Sequence, residues 1–547
     1  MSDITLSGVN ANQNVGVLVQ LTIPGSQSGA ATSVYPVLLL ANGLAGSAAN
    51  AAATATPGVF YGPNTLTPVN TVQDVINLFG AGSPGHLGFA AFKAKNTSTP
   101  VFIAPIEMLS AGTAATQTLT ITAAGSPSQV TGIIQYQVDG KAPVQANFLG
   151  GSSPDSAATI ATKLAAAINS NNFLPCTASA TSNVVTVTAN TKNQRTIFLR
   201  GFANVVSGAG VSVTPNSPAF FTGGAGSDAS IPGGGGYLQV LNAIAQTSNR
   251  FYYYVAEAGW DSVDGYNAVA GSFTNGAVSN IQNQIDSLSA PSIGLRQRAI
   301  MGSVDTVAAT QHTSLDVDDP RLECILSPNQ DLTPFELACT WAAAINTFET
   351  VPLSAGGVNF DNFGGDPASQ PFWTLPAPLD GSSLSTSALQ SCIVSGVTPV
   401  KVVAGTQRTV VWKRCTSYFY PPSSPSVLDL RAVDAGIVTV ADRFFDYLQN
   451  LIIARAPRQV IGSDPLAGSP PAPPNVMTPD NMEDICIEAI NVFAAASLIN
   501  GPQTQATLVV QENQNPATSI GISVTLYTAN LLHTVLIAGS SLPALVI

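Results

Sequence analysis

Charge is what this sequence lacks most. Only 9% of its 547 residues are Asp, Glu, Lys or Arg, against roughly 25% in ordinary soluble proteins. A lone particle of this size with so few charges is hard to keep in solution. Much of its surface is therefore expected to be covered by further copies of the same chain. Basic residues are the scarcest, 19 against 31 acidic, for a net charge of −12. That excludes nucleic acid as a partner, because neutralising phosphates needs clustered Lys and Arg.

Histidine is limited to His86, His312 and His533, which leaves little room for general-base or metal chemistry. The six cysteines, Cys176, Cys324, Cys339, Cys392, Cys415 and Cys486, stand far apart with no C-x-x-C pair, so zinc is not expected. They read as buried free thiols, with disulfides between subunits outside a reducing cell as the sharper alternative. Long apolar runs are also missing. Leu531–Ile547 comes nearest but is short and broken by His533, Ser540, Ser541 and Pro543, so no membrane insertion is expected. No Lys or Arg precedes Lys93, which argues against a signal peptide and for assembly in the cytoplasm.

Motifs that could carry chemistry are weak. Ala81-Gly82-Ser83-Pro84-Gly85 lacks the first glycine of a nucleophile elbow and reads as a turn between helices. His312 with Asp316, Asp318 and Asp319 matches no calcium loop and reads as a solvated turn. Gly233–Gly236 has no phosphate-binding lysine and reads as a domain joint. Leu40–Gly46 follows a strand, but the helix a dinucleotide would need after it is unconvincing. No catalytic residue, cofactor or metal is expected, and the chain is not read as an enzyme.

What is present is scaffold. In the C-terminal block, Leu430, Val433, Ile437, Val440, Phe444, Leu448 and Leu451 recur at steps of three and four, which predicts a helix over Val427–Ile453 with one buried stripe. Ser426 is its expected N-cap and Pro457 marks its stop. A second helix opens at Thr478-Pro479, with Asp480, Glu483 and Asp484 in its first turn and Asn500-Gly501-Pro502 as its expected end. Leu508–Gln511 and Ser519–Tyr527 read as strands around an Asn-Pro turn.

Upstream, strands are expected at Tyr35–Leu40 and Pro100–Pro105, with helices at Val72–Phe79 and Leu87–Lys93 between them, an α/β pattern. From Gly112 to Gly224 the composition turns to Thr, Ser, Ala and Val. Strands are expected there at Gln117–Thr122, Gly132–Val138 and Val184–Ala189, and a helix from Ser156 to Ala167. Glycine-rich borders mark this stretch as an insertion. The α/β pattern then resumes with helices at Tyr237–Ala245, Val278–Leu288 and Pro334–Phe348. Strands alternate with them at Phe251–Ala256, Arg298–Val304 and Cys324–Leu326, and a hairpin follows at Val400–Cys415. The fold class is thus multidomain α/β (α+β): a mixed-sheet core built from N- and C-terminal parts, an inserted β-rich domain, and extended terminal strand arms. The expected divisions are 1–30, 31–111, 112–224, 225–399, 400–530 and 531–547.

The arms carry the sharpest expectation. Val15, Val17, Val19, Leu21 and Ile23 alternate as a strand, yet a Gly/Ser linker follows with no hairpin partner. A C-terminal strand holding Leu532, Thr534 and Leu536 is likewise short of local partners. Both are expected to pair with strands of adjacent subunits. Charge is also split. From Lys401 to Arg458 eight basic residues face four acidic ones, whereas Gln459 to the end has six acidic residues and no basic one. Contacts between subunits through Arg443, Arg455, Asp480, Glu483 and Asp484 are one reading; ordinary helix-end charges are the other.

Several segments together carry a resemblance. Phe79-Gly80-Ala81-Gly82-Ser83 precedes Pro100-Val101-Phe102-Ile103-Ala104-Pro105-Ile106. Val138-Asp139-Gly140 precedes Asp155, Ala157, Ile160, Ala161, Leu164, Ala165, Ala167, Ile168 and Asn169. Leu174-Pro175, Val184–Ala189, Leu428-Asp429-Leu430, Val476-Met477-Thr478-Pro479 and Leu508-Val509-Val510 continue in the same order. In this collinear order the chain resembles the tail sheath proteins of contractile-tailed bacteriophages, in their Mu-like branch. The resemblance implies a structural subunit, assembled in the host cytoplasm and carried in the virion, that stacks as helical rings around a tail tube. It implies contraction that drives the tube through the host envelope, with the tube, baseplate and tail terminator proteins as partners. A secreted or surface-layer structural protein is the competing reading.

Overall fold

β1 (Val37–Asn42, VLLLAN) is buried at every position, because it has a strand on each side in a sheet that is covered on both faces. The computed structural model describes residues 36–226, 235–257, 277–327, 332–349, 384–411, 435–512 and 520–527, with short interruptions within several of these spans. The strand sits two residues further along than its apolar run suggested. Val37, Leu39 and Ala41 face one helical layer and Leu38 and Leu40 the other.

Three helices follow. α1 (Ala48–Ala55) is capped by the Ser47 side chain, which corrects the expectation that no convincing helix follows β1. α2 (Val72–Phe79) opens on a capping box in which Thr71 and Asp74 satisfy each other's backbone N–H. α3 (Pro84–Lys95) has Ser83 as N-cap and Pro84 in its first turn. The Ala81–Gly85 stretch is therefore the turn between α2 and α3. β2 (Val101–Ile106) then pairs parallel to β1.

After the insertion the chain continues with α5 (Tyr237–Ala245), β11 (Tyr253–Ala256), α6 (Ala277–Ser289), β12 (Arg298–Ser303), β13 (Leu322–Leu326), α7 (Pro334–Glu349), α8 (Thr386–Val394), β14 (Thr398–Val402) and β15 (Thr409–Val411). The sheet order is β15-β14-β13-β12-β11-β1-β2, parallel except for the β14–β15 edge pair. Residues of α1, α2, α3 and α7 share one core, and residues of α5, α6 and α8 share the other. This is a three-layer, doubly wound α/β unit with an antiparallel edge.

Between β2 and α5 lies the inserted unit. It comprises β3 (Thr116–Ala123), β4 (Val130–Val138), β5 (Val144–Phe148), α4 (Ala157–Asn169), β6 (Cys176–Thr181), β7 (Val184–Ala189), a 3₁₀ turn (Gln194–Phe198), β8 (Arg200–Ala209), β9 (Val211–Thr214) and β10 (Ala219–Phe220). Two four-stranded sheets, β10-β8-β4-β5 and β6-β7-β3-β9, enclose a core of its own with α4, including Leu119, Tyr136, Phe148, Leu164 and Val187. Bridges Thr113↔Ala225 and Thr116↔Thr222 hold its entering and leaving strands together as a stalk.

The C-terminal unit is built on α9 (Ala435–Arg455) and α10 (Pro479–Ala495), with β16 (Val460–Ile461) and β17 (Val476–Met477) between them. Val440, Phe444, Leu448 and Ile452 of α9 pack on Met482, Ile485, Cys486 and Phe493 of α10. The rings of Phe444 and Phe493 meet edge to face at 5.3 Å. α10 ends at Ala495, earlier than expected. Asn500 does not end that helix but caps a new short one, α11 (Gly501–Gln505). An antiparallel ribbon of β18 (Val509–Glu512) and β19 (Ile520–Ser523) completes the unit. β19 is shorter than the expected strand, since residues 524–527 have left the extended ladder.

Candidate functional site

The C-terminal unit meets the α/β unit through charge. α9 carries a second stripe, Thr439, Asp442, Arg443 and Asp446, whose members recur three and four positions apart and so lie beside the apolar one. Thr439, Asp442 and Arg443 of this stripe are buried. Across from it stand residues at the amino ends of the parallel strands. The Arg321 guanidinium grips Asp442 with two hydrogen bonds of 2.8 Å, and the Tyr252 hydroxyl donates to the same carboxylate at 3.1 Å. Arg296 pairs with Asp446, and Arg298 donates to the Thr439 hydroxyl. Fork-to-carboxylate pairing of this kind fixes orientation as well as attraction.

Behind this joint lies a carboxyl pair. The side chains of Asp286 on α6 and Asp319 before β13 are hydrogen-bonded to each other, and Asp319 Oδ1 also accepts from the Arg321 N–H at 2.7 Å. Burial, reinforced by the neighbouring Asp286 charge, pushes the Asp319 carboxyl up to about 7. Burial raises Asp286 as well. Asp446 is pushed up to about 6, burial outweighing the pull of Arg296. Burial draws the Arg321 guanidinium down, but the Asp442 carboxylate more than reverses this and leaves it above its ordinary value.

The residues singled out from sequence fall into separate places. Val15, Val17, Val19, Leu21, Ile23, Leu532, Thr534 and Leu536 lie outside the described residues, as do His312 and Cys415. Arg443 is only 9% exposed, because it sits on the buried stripe of α9 and is no surface charge. Arg455 pairs with Glu488 of the same chain at 2.7 Å, with both side chains partly exposed. Asp480 and Asp484 are exposed at the start of α10 and Glu483 is half-buried. The Asp480 N–H donates to Asp464 Oδ1 at 2.9 Å.

Cys176, Cys324, Cys339, Cys392 and Cys486 are free and buried. Burial pushes the Cys392 thiol up to about 11 and Cys486 up to about 12. An intersubunit bridge needs an accessible sulfur, and none of these five offers one.

The β18–β19 ribbon gains no third strand among the described residues. Val509 is half exposed, at 49%. A two-stranded ribbon is marginal on its own, and its outer rows of N–H and C=O groups are a template for further strands. Periodicity could have revealed the polar stripe of α9. The pairing of Asp286 with Asp319 leaves no such signal.

Among the described residues no cluster of three or more His, Cys, Asp or Glu could hold a metal ion. No helix among them is long and apolar enough to cross a membrane. No protein-family model matches the chain, and no curated protein matches it. Among solved structures, it is similar to a sheath tail protein of Listeria innocua at 12% identity and TM-score 0.42, covering 91% of this chain and 92% of that one. It is also similar to a sheath tail protein of Desulfitobacterium hafniense at 11% identity and TM-score 0.39, covering 96% of this chain and all of that one.

Proposed function

We propose that the chain is the structural subunit of a contractile phage tail sheath, stacking as helical rings around a tail tube in the virion. The observation that carries this is the β18–β19 ribbon, which has no third strand among the described residues, in a chain whose two ends carry alternating apolar strands with no partner in local sequence. Val15–Ile23 of one subunit and the 532–538 strand of another add to such a ribbon by strand addition. Each added strand contributes several hydrogen bonds of about 0.5–1.5 kcal/mol net apiece, repeated at every lattice node. The low charge content fits surfaces that are covered in the assembly.

In this reading the subunits assemble in the host cytoplasm in an extended, metastable packing and relax to a shorter one. The free-energy difference between the two packings drives the tube through the envelope. Tube, baseplate and tail terminator proteins are the partners, and no nucleotide is consumed.

Electron microscopy of the purified protein tests the proposal. Helical tubes are expected, and deletion of residues 1–24 is expected to leave a folded monomer that forms none. Flat lattices would favour a surface-layer protein, and dispersed particles at all concentrations would overturn assembly altogether.

A further inference from the structure

The doubly wound sheet has one place where such sheets hold their ligands, and in this chain that place is filled by the inserted unit. β1 leads to β2 on one side and the later strands lie on the other, so the winding reverses between β1 and β11. In open α/β sheets the crevice outside the carboxyl ends at such a reversal is the binding position. Here those ends are Asn42, which closes β1, and Glu257, just after β11. Asn42 ties the crevice together: its N–H donates to Glu257 Oε2 at 2.7 Å and its side-chain amide to the Ile106 carbonyl of β2 at 3.0 Å.

Into this crevice the 3₁₀ turn of the inserted unit delivers Arg195. Its guanidinium donates to Asn42 Oδ1 at 3.1 Å and to Glu257 Oε1 at 3.3 Å. Asn193 from the same turn reaches Asn42 Oδ1 at 3.4 Å. Arg195, Glu257, Asn42 and Asn193 are all buried. The turn is anchored in its own unit, since the Thr196 hydroxyl accepts from the Ala115 N–H at 3.0 Å and donates to the Asn193 carbonyl at 2.6 Å. A residual cavity of about 60 Å³ remains beside it, walled by Pro84, Leu87 and Phe335 among others.

A second contact lies nearby. Lys141 of the inserted unit forms an ion pair with Glu336 in the first turn of α7. Gly82 lets the two units touch there. Its φ is +73°, and a Cβ on it would stand 2.2 Å from the Leu174 carbonyl oxygen.

We infer that Arg195 is a tethered ligand: it occupies the sheet's binding crevice and thereby locks the inserted unit to the α/β unit as one rigid body. Without it the two units are joined by the paired strands at Thr113–Thr116 and Thr222–Ala225 and by smaller contacts that include Gly82, Lys141, the His86–Phe173 ring contact and Phe198 against the α/β core. The inserted unit would then swing on that stalk with its own core intact. The inference rests on the fold alone and holds whatever the chain assembles into.

Hydrogen exchange on the full chain, followed by mass spectrometry, tests it with Arg195→Met, Glu257→Gln and the double variant. Peptides over 190–199 are expected to exchange at least about tenfold faster in each single variant, by local opening. The double variant should be no faster than the faster single one, because one contact is lost either way. Peptides over β3 and β7 should keep their wild-type rates, which separates undocking from unfolding. Unchanged exchange over 190–199, or effects that add in the double variant, would overturn the lock. Should Arg195→Met unfold the inserted unit, Arg195→Lys keeps the charge and shortens the reach. A rate between wild type and Glu257→Gln supports the lock, and a wild-type rate overturns it.

Discussion

The α/β unit is gripped at both edges of its sheet, and the two grips are built differently. At the carboxyl edge the inserted unit sends in one arginine, which meets Glu257 at 3.3 Å and an amide, and His86 sits at the separate Gly82 contact. At the amino edge the C-terminal unit is held by a bidentate pair at 2.8 Å and a second ion pair, with the Asp286–Asp319 couple beside Arg321 within the α/β unit. Parallel strands expose their carboxyl ends at one edge and their amino ends at the other. Two appended units can therefore dock without competing, and each joint can carry its own chemistry. The amino-edge joint places carboxylates among arginines, so loss of either partner is costly. The carboxyl-edge joint centres on one buried arginine, with the Lys141–Glu336 pair and the Gly82 contact beside it.

The sharpest way to break this comparison is to remove Asp442. Its side chain is 4% exposed and takes hydrogen bonds from Arg321 and Tyr252. Asp442→Asn takes the counter-charge from a half-buried guanidinium held by two hydrogen bonds and is expected to cost ~3–5 kcal/mol. Glu257→Gln at the other edge also removes a counter-charge, that of Arg195, but it weakens a single longer contact of 3.3 Å and is expected to cost ~1–3 kcal/mol. Denaturant unfolding of the two variants checks the order. Equal losses would mean that the joints do not differ in the way their geometry states.

pH separates the joints by sign. Asp319 is raised from its ordinary value to about 7 in the folded chain, so its protonated form favours folding. That contribution is complete at acid pH and is lost as pH rises through about 7. The charged groups that act on it are Asp286 and Arg321, and Asp319→Asn is expected to flatten the loss between about pH 4 and 7. His86 behaves in the opposite way. Burial, helped by Lys141 against the pull of Glu336, lowers it from 6.5 to about 4. Its neutral form favours folding, and that stability is lost as pH falls from 6.5 towards 4. Nδ1 of His86 accepts from the Gly82 N–H at 3.0 Å, so His86→Asn, with an acceptor near the same position, should flatten the acid limb. Thermal melts across pH 4–8 read both. A third, smaller readout is thiol reactivity. With five of the six cysteines free and buried, at most one thiol per chain should react with an aromatic disulfide before unfolding.

How much of this was legible follows from the range of each interaction. α2, α5 and β7 carry the expected boundaries because caps and turn residues bracket them. α1, AANAAATA, shows no apolar stripe, and β6, CTASAT, has small polar residues where strands usually show branched ones. Both elements form because tertiary neighbours cover them. The joints were hidden for another reason. Arg195 and Asn42 are 153 positions apart and Arg321 and Asp442 are 121 apart, and no local period links residues across such distances. The charge tally along the C-terminal block counted Asp442 and Asp446 only toward the segment's net charge, although they face arginines 121 and 150 positions earlier in the chain.

That correction narrows the smallest prediction. With Asp442 and Asp446 taken up by Arg321 and Arg296, and Arg455 paired to Glu488, the charges left facing outward at the start of α10 are Asp480, Asp484 and, in part, Glu483. They suit the helix dipole of their own chain, worth about 0.3–1 kcal/mol each. They can equally meet a basic segment of an adjacent subunit, at ~0–1 kcal/mol per exposed pair. The two roles differ in what salt does to assembly. A dipole interaction acts within one subunit, so reversing Glu483 and Asp484 to Lys would lower the melting temperature slightly and leave the assembly yield alike at low and high salt. A contact between subunits turns repulsive on reversal, and repulsion is least screened at low ionic strength. We expect the second outcome: the Glu483→Lys, Asp484→Lys chain should assemble less than wild type in dilute buffer and regain part of the deficit as salt rises. Sedimentation of assembled material across a salt series measures this. A deficit that ignores salt would assign these carboxylates to the helix dipole alone.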